Sequence, residues 1–151
     1  MRILSSRAEI AAAQGQDLGT SEWIEITQDR IDAFADATGD HQWIHVDPEK
    51  AAAGPFGSTI AHGYLTLSLI PQFGSQVFTF AGDGARVNYG TNKVRFPEPV
   101  PVGSKLRAHV TLDEVTDIPA GQQVVIRYVV EIEGNEKPAC VAETVVLLLE
   151  H

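Results

Sequence analysis

The chain has 151 residues, 44% hydrophobic and 21% charged, the composition of an ordinary globular protein long enough to close one core. Twenty acidic residues against 11 basic ones leave a net charge of -9, which opposes general attraction to nucleic acid or to an anionic membrane. The single cysteine, Cys140, excludes an intrachain disulfide, and no window approaches the roughly 20 apolar residues that span a bilayer.

Met1 to Arg7 lead into an Ala-rich stretch without the apolar core and cleavage site of a secretory leader, so cytoplasmic residence is the expectation. The final Leu149-Glu150-His151 resembles an expression-vector scar, and His151 is given no functional weight. No repeat, low-complexity tract or linker divides the chain, and residues 1–151 are expected to form a single domain.

Residues 8 to 14 suit a short helix, and Trp23-Ile24-Glu25-Ile26 a short strand. Thr27 is a good N-cap for a helix over Gln28 to Thr38, with Ile31, Phe34 and Ala35 on one face and Asp29 and Asp32 near its start. Gly39 terminates it, leaving Asp40 just beyond a rigid element yet free of regular hydrogen bonding. Asp47-Pro48-Glu49 is a second helix start, and Gly54-Pro55 stops the short helix it opens. Ser58 or Thr59 is expected to cap a longer helix through Ile60, Ala61, Leu65, Leu67, Leu69 and Ile70, ended by Pro71. It is apolar on nearly every face, the pattern of a buried central helix.

After Gly82 the period changes. Val87 to Phe96, Leu106 to Thr111, Val124 to Glu133 and Ala139 to Leu149 read as strands. Turn residues at Pro97 to Gly103, Pro119-Ala120-Gly121 and Gly134-Asn135 separate them. The expectation is α+β, one buried helix against an antiparallel sheet, with strand surface left over for pairing between subunits.

Asp40 and His45 place a carboxylate and an imidazole five positions apart across a loop. Such a pair can orient one water and move protons in both directions, since imidazole titrates near pH 6.5. The spacing equally suits capping, surface exposure or a structural hydrogen bond. Gly63, near the start of the apolar helix, either packs closely or offers its N–H to a developing oxyanion. His62 is either a structural histidine that fixes its loop or a second base. Asp40, His41, His45 and His62 match no strong zinc spacing, so no metal is expected. Trp43 and Ile44 wall a pocket or pack into the core. Lys93 and Arg95 share a strand face and suit either an acyl carrier's phosphate or an ordinary surface. Cys140 lies in an apolar run and reads as a small buried hydrophobe. No phosphate loop, dinucleotide fingerprint or nucleophile elbow is present.

The segment Ala37-Thr38-Gly39-Asp40-His41-Gln42-Trp43-Ile44-His45-Val46-Asp47-Pro48 resembles the hydratase motif of the MaoC-like, (R)-specific enoyl-CoA hydratases. Phe56-Gly57-Ser58-Thr59-Ile60-Ala61-His62-Gly63 continues the resemblance, as do Asn92-Lys93-Val94-Arg95-Phe96 and Pro99-Val100-Pro101-Val102-Gly103. The likeness covers nearly the whole chain and is close to single-domain mycobacterial and other bacterial members. It implies a hot-dog fold, an antiparallel sheet wrapped around a long central helix, and a homodimer. It also implies reversible syn hydration of a trans-2-enoyl-CoA to the (3R)-3-hydroxyacyl-CoA, without cofactor. Asp40 and His45 would then hold and activate the water while the Gly63 N–H polarises the thioester carbonyl. Trp43, His62, Lys93 and Arg95 are secondary candidates for substrate contact. The family pattern spans CoA and acyl-carrier-protein thioesters alike, and related folds include thioesterases and non-catalytic acyl-thioester-binding subunits. Gln42-Trp43 stands where many members have Asn-Pro, which keeps the acid and base but places Trp43 to narrow or redirect the pocket.

Overall fold

The computed structural model describes residues 1–150; His151 lies outside the described residues. Its largest element is an antiparallel sheet in which apolar residues fall at every second position. In β6 (Lys105–Ile118), Leu106, Ala108, Val110 and Leu112 are fully buried while Arg107, His109 and Thr111 face the other side. β7 (Gly121–Ile132) pairs with β6 and repeats the pattern through Val124, Ile126, Tyr128 and Val130. β8 (Cys140–Leu149) and then β5 (Arg86–Arg95) extend the sheet on one side. β2 (Gln16–Thr20) and β3 (Ile24–Glu25) both pair with β6 on the other. A separate parallel pair joins β1 (Arg2–Leu4) to β4 (Phe78–Phe80). Sequence periodicity missed β1, β2 and β4, which are too short to show an alternation of their own.

Helix α1 (Arg7–Ala12) precedes the sheet, capped by Ser6. α2 (Gln28–Thr38) has the expected bounds: the Thr27 hydroxyl accepts from the Arg30 N–H, and Gly39 ends the helix at φ 77°. That left-handed conformation is open to glycine and strained for other residues. α3 (Trp43–Val46) is a single helical turn that holds His45, where the sequence suggested a loop. α4 (Pro48–Ala52) starts as expected, with the Asp47 carboxylate accepting from the Lys50 N–H.

The central helix departs from expectation. It is two abutting pieces, α5 (Gly63–Ser68) and α6 (Ile70–Val77), and it starts well after Ser58 or Thr59. Those hydroxyls do not cap it, because residues 59–61 are drawn into extended pairing. Ala61 N–H bonds the Val100 carbonyl, Val102 N–H bonds the Thr59 carbonyl, and Ile60 forms a bridge with Pro101. Pro71 does not stop the helix either. It sits in the first turn of α6, where a missing N–H costs nothing. Only one side is apolar and covered: Leu65, Leu69, Ile70, Phe73 and Val77 are buried, whereas Tyr64, Ser68, Gln72 and Ser75 are exposed. The buried side lies on the sheet, α5 against β8 and α6 against β6 and β2. The terminal Leu149 and Glu150, read as a scar, are tied in by backbone bonds to Ala85 and Ala120.

Phe73 is the largest fully buried side chain of the helix–sheet interface. Phe73→Ala is expected to cost about 3–5 kcal/mol in urea unfolding, whereas Gln72→Ala on the exposed side should stay within about 0.5 kcal/mol.

Candidate active site

Two segments far apart in sequence meet beside the helix start. The turn α3 delivers His45, and the extended residues 59–61 run alongside it. The His45 Nδ1 lies 2.7 Å from the Ile60 carbonyl, while the Ile60 N–H donates to the Ile44 carbonyl at 3.0 Å. A carbonyl only accepts, so Nδ1 carries the imidazole proton and Nε2 keeps its lone pair. His45 is 6% exposed and faces a largely apolar cavity.

Asp40 follows the Gly39 cap, outside any helix or strand, and is exposed. Its Oδ1 accepts a long bond from the Gln42 N–H at 3.4 Å. A carboxylate oxygen of Asp40 and a ring nitrogen each of His45 and His62 lie within 4.8 Å of one another. A separation within that limit is one that a single water can span at ordinary hydrogen-bond distances.

The trio also has the residue types of a metal site, but its rings are ill disposed for one. His45 and His62 stack with centroids 3.8 Å apart and planes 22° apart. Imidazole lone pairs lie in the ring plane, so two nearly parallel rings do not converge on one ion unless a ring turns. The carbonyl bonds, His45 to Ile60 and His62 to Asp40, engage one nitrogen of each ring and leave the other, so they do not bear against a metal; the ring stacking does. His41 takes no part: it is exposed and bonded to Asp36 at 2.8 Å. That bond raises its pKa above the ordinary histidine value.

The cavity has a volume of about 330 Å³, and His45, Gly63, Phe56, Phe96, Thr66 and Ala139 are among its walls. Gly63 is the first residue of α5, where helix geometry leaves the N–H without an intrahelical acceptor. A side chain there would meet the Phe96 ring at 3.0–3.1 Å, so glycine permits the ring to close over the helix start. Trp43, by contrast, does not line this cavity. Its indole packs on Gly54, where a Cβ would lie 2.9 Å away, with the Lys50 ammonium 4.7 Å over the ring. Lys93 and Arg95 are exposed on β5, opposite Glu143 and Val141 of β8, and neither lines the cavity. Burial pushes the Cys140 thiol up to about 11, which keeps it protonated at neutral pH and unsuited to nucleophilic attack.

The sequence pattern gave no role to Gln28. Its side-chain amide donates to the His45 carbonyl at 2.8 Å and to Asp32 at 2.9 Å, and its oxygen accepts from the Thr59 hydroxyl. One residue at the start of α2 thus ties both walls of the site together. Its only sequence signal is a long polar side chain directly after the Thr27 cap.

Residues 9–135 match the family model described as MaoC like domain. The chain belongs to the MaoC-like dehydratase family. It is 56% identical over 147 residues to 3-hydroxyacyl-thioester dehydratase Z of Mycobacterium tuberculosis, covering 97% of each chain. It is 44% identical to nodulation protein N of Rhizobium leguminosarum bv. viciae, covering 95% of this chain and 91% of that one. Among solved structures, it superposes on the unliganded R-hydratase PhaJ1 from Pseudomonas aeruginosa with a TM-score of 0.74 at 25% identity. That match covers 91% of this chain and 83% of the other. The α+β arrangement is therefore the hot-dog fold of the MaoC-like proteins, with α5–α6 as its central helix.

In this MaoC-like chain, Gln28→Leu leaves the His45 carbonyl and the Thr59 hydroxyl without their partner. The expected cost is about 1–3 kcal/mol of unfolding free energy by urea titration, well above that of an exposed substitution such as Gln72→Ala.

Proposed function

We propose that this chain reversibly hydrates a trans-2-enoyl-CoA to the (3R)-3-hydroxyacyl-CoA, with Asp40 and His45 holding the reacting water. That it is an enzyme of the hydratase/dehydratase kind, acting on 3-hydroxyacyl thioesters, follows from its family and from its 56% identity to a dehydratase of such thioesters. The observation that supports the finer reading is that His45, its Nδ1 taken by the Ile60 carbonyl, lines the cavity together with Gly63, while Asp40, which is not itself a wall, has a carboxylate oxygen within 4.8 Å of a His45 ring nitrogen.

The water donates one hydrogen bond to Nε2 of His45 and the other to the Asp40 carboxylate. As its oxygen bonds to C3, the pair takes up one of its protons, and the π electrons of C2=C3 move onto the thioester oxygen. The Gly63 N–H stabilises that enolate oxygen. The pair then returns a proton to C2 on the same face, giving syn addition. In the reverse direction the pair removes the C2 proton and protonates the departing hydroxyl. The acyl chain lies between the apolar walls, with Phe56 and Phe96 among them.

The partner is a second copy of the chain. Among the described residues, β5 is paired on one side only, and nine of its ten residues are exposed. Tyr64 and Tyr89 expose 71% and 68% of their surfaces on α5 and β5. An unprotected edge beside exposed aromatics invites sheet extension. Sedimentation velocity is expected to return twice the protomer mass.

The test follows the loss of enoyl absorbance of a short trans-2-enoyl-CoA, with chiral analysis of the product and a thiol reagent present. Wild-type protein should form the (3R)-hydroxy thioester and release no thiol. Asp40→Asn and His45→Ala should each lower kcat about 10²- to 10⁴-fold with the circular dichroism spectrum retained. Thiol release would instead make the chain a thioesterase. Binding without turnover would make it an acyl-thioester-binding subunit.

A further inference from the structure

We propose that His62 is a positioning residue for the water-holding pair, acting as a neutral ring protonated at Nε2. This inference rests on the hydratase reading of Asp40 and His45. The His62 Nε2 lies 3.0 Å from the main-chain carbonyl of Asp40, 22 residues away in sequence. The carbonyl can only accept, so the His62 proton is on Nε2, the opposite tautomer to that of His45.

The other nitrogen makes the case for a role. His62 is 3% exposed, and its Nδ1 is buried with no hydrogen-bond partner among the described residues. A buried acceptor without a donor is unfavourable, and an aromatic hydrocarbon ring would avoid that penalty. What histidine adds over phenylalanine here is the Nε2–H bond to Asp40. Asp40 has need of it, being outside regular structure with a carboxylate held by one long bond to the Gln42 N–H.

The ring faces complete the arrangement. His62 lies between Phe34, at a centroid distance of 4.9 Å, and the stacked His45 ring at 3.8 Å. It therefore orients the carboxylate through its edge and supports the imidazole through its face. His62 is not among the residues lining the cavity, so it works through Asp40 and His45 and does not touch the acyl group.

The substitution that separates the bond from the ring is His62→Phe. Its kcat should fall about 10- to 100-fold while KM stays within about twofold, because the chemistry and not the acyl contact is disturbed. In an Asp40→Asn background, assayed at raised enzyme concentration, the same substitution should cost less than about threefold, since the group it positions is already gone. Nitrogen-15 NMR of the wild-type imidazoles should show His62 protonated at Nε2 and His45 at Nδ1. That spectrum needs neither turnover nor a variant that folds. A His62 proton on Nδ1, losses that multiply in the double variant, or an effect on KM alone would each overturn the proposal. Absence of wild-type turnover with the two tautomers in place would overturn the hydratase reading and leave the His62 hydrogen bonding established.

Discussion

The bond from the His45 Nδ1–H to the Ile60 carbonyl is the contact on which the site depends. A buried neutral hydrogen bond adds only about 1 kcal/mol net, but breaking it strands a buried donor and a buried acceptor together. That asymmetry holds the ring in one orientation and one tautomer. The carbonyl is itself immobilised. Ile60 donates to Ile44, and its neighbours Thr59 and Ala61 pair with Val102 and Val100. Gln28 then closes the frame by bonding both the His45 carbonyl and the Thr59 hydroxyl. Three stretches of chain fix one imidazole, and most of the groups that do so belong to the backbone.

Asp40 is held in a different way. His45 is buried and clamped, whereas the carboxylate projects from an exposed position after a helix cap. The proposed proton exchange thus joins an exposed group to a buried one. Other ionisable groups nearby are kept out of that exchange. His41 is engaged by Asp36 on the outside, and burial keeps the Cys140 thiol protonated.

Much of this was legible in the sequence where the signal is local. The Thr27 cap, the Gly39 terminator and the Asp47-Pro48 start are each read from a few adjacent residues, and the structure has all three. The long strands β7 and β8 and the first half of β6 were legible because one face of each is buried, whereas β6 beyond Thr111 was not read, since its buried alternation ends at Leu112. The central helix was misjudged where local and tertiary demands compete. Thr59 has the side chain of a cap, yet its backbone is claimed by the turn at Val100 to Val102 and its hydroxyl by Gln28. The stacked histidines were invisible for the same reason. Sixteen residues separate His45 from His62, and nothing along the chain says that their rings touch. The part of Gln28 was hidden because a polar residue at a helix start is ordinary until its partners are known.

The departure at Gln42-Trp43 looks different once the clamp is understood. A motif that positions its histidine through backbone carbonyls does not need particular side chains at the intervening positions, provided the helical turn forms. Trp43 begins that turn, and its carbonyl accepts the Asp47 N–H that closes it. Its indole turns away from the cavity onto Gly54, where the absence of a side chain makes the room. Lys50, one turn along α4, lies over the ring and completes the packing. In this chain Trp43 thus packs α3 on α4 without touching the His45 to Ile60 bond. On the proposed reading, variation in acyl preference is to be sought at residues that line the cavity, such as Phe56, Thr66, Phe96 and Ala139, and not between Asp40 and His45.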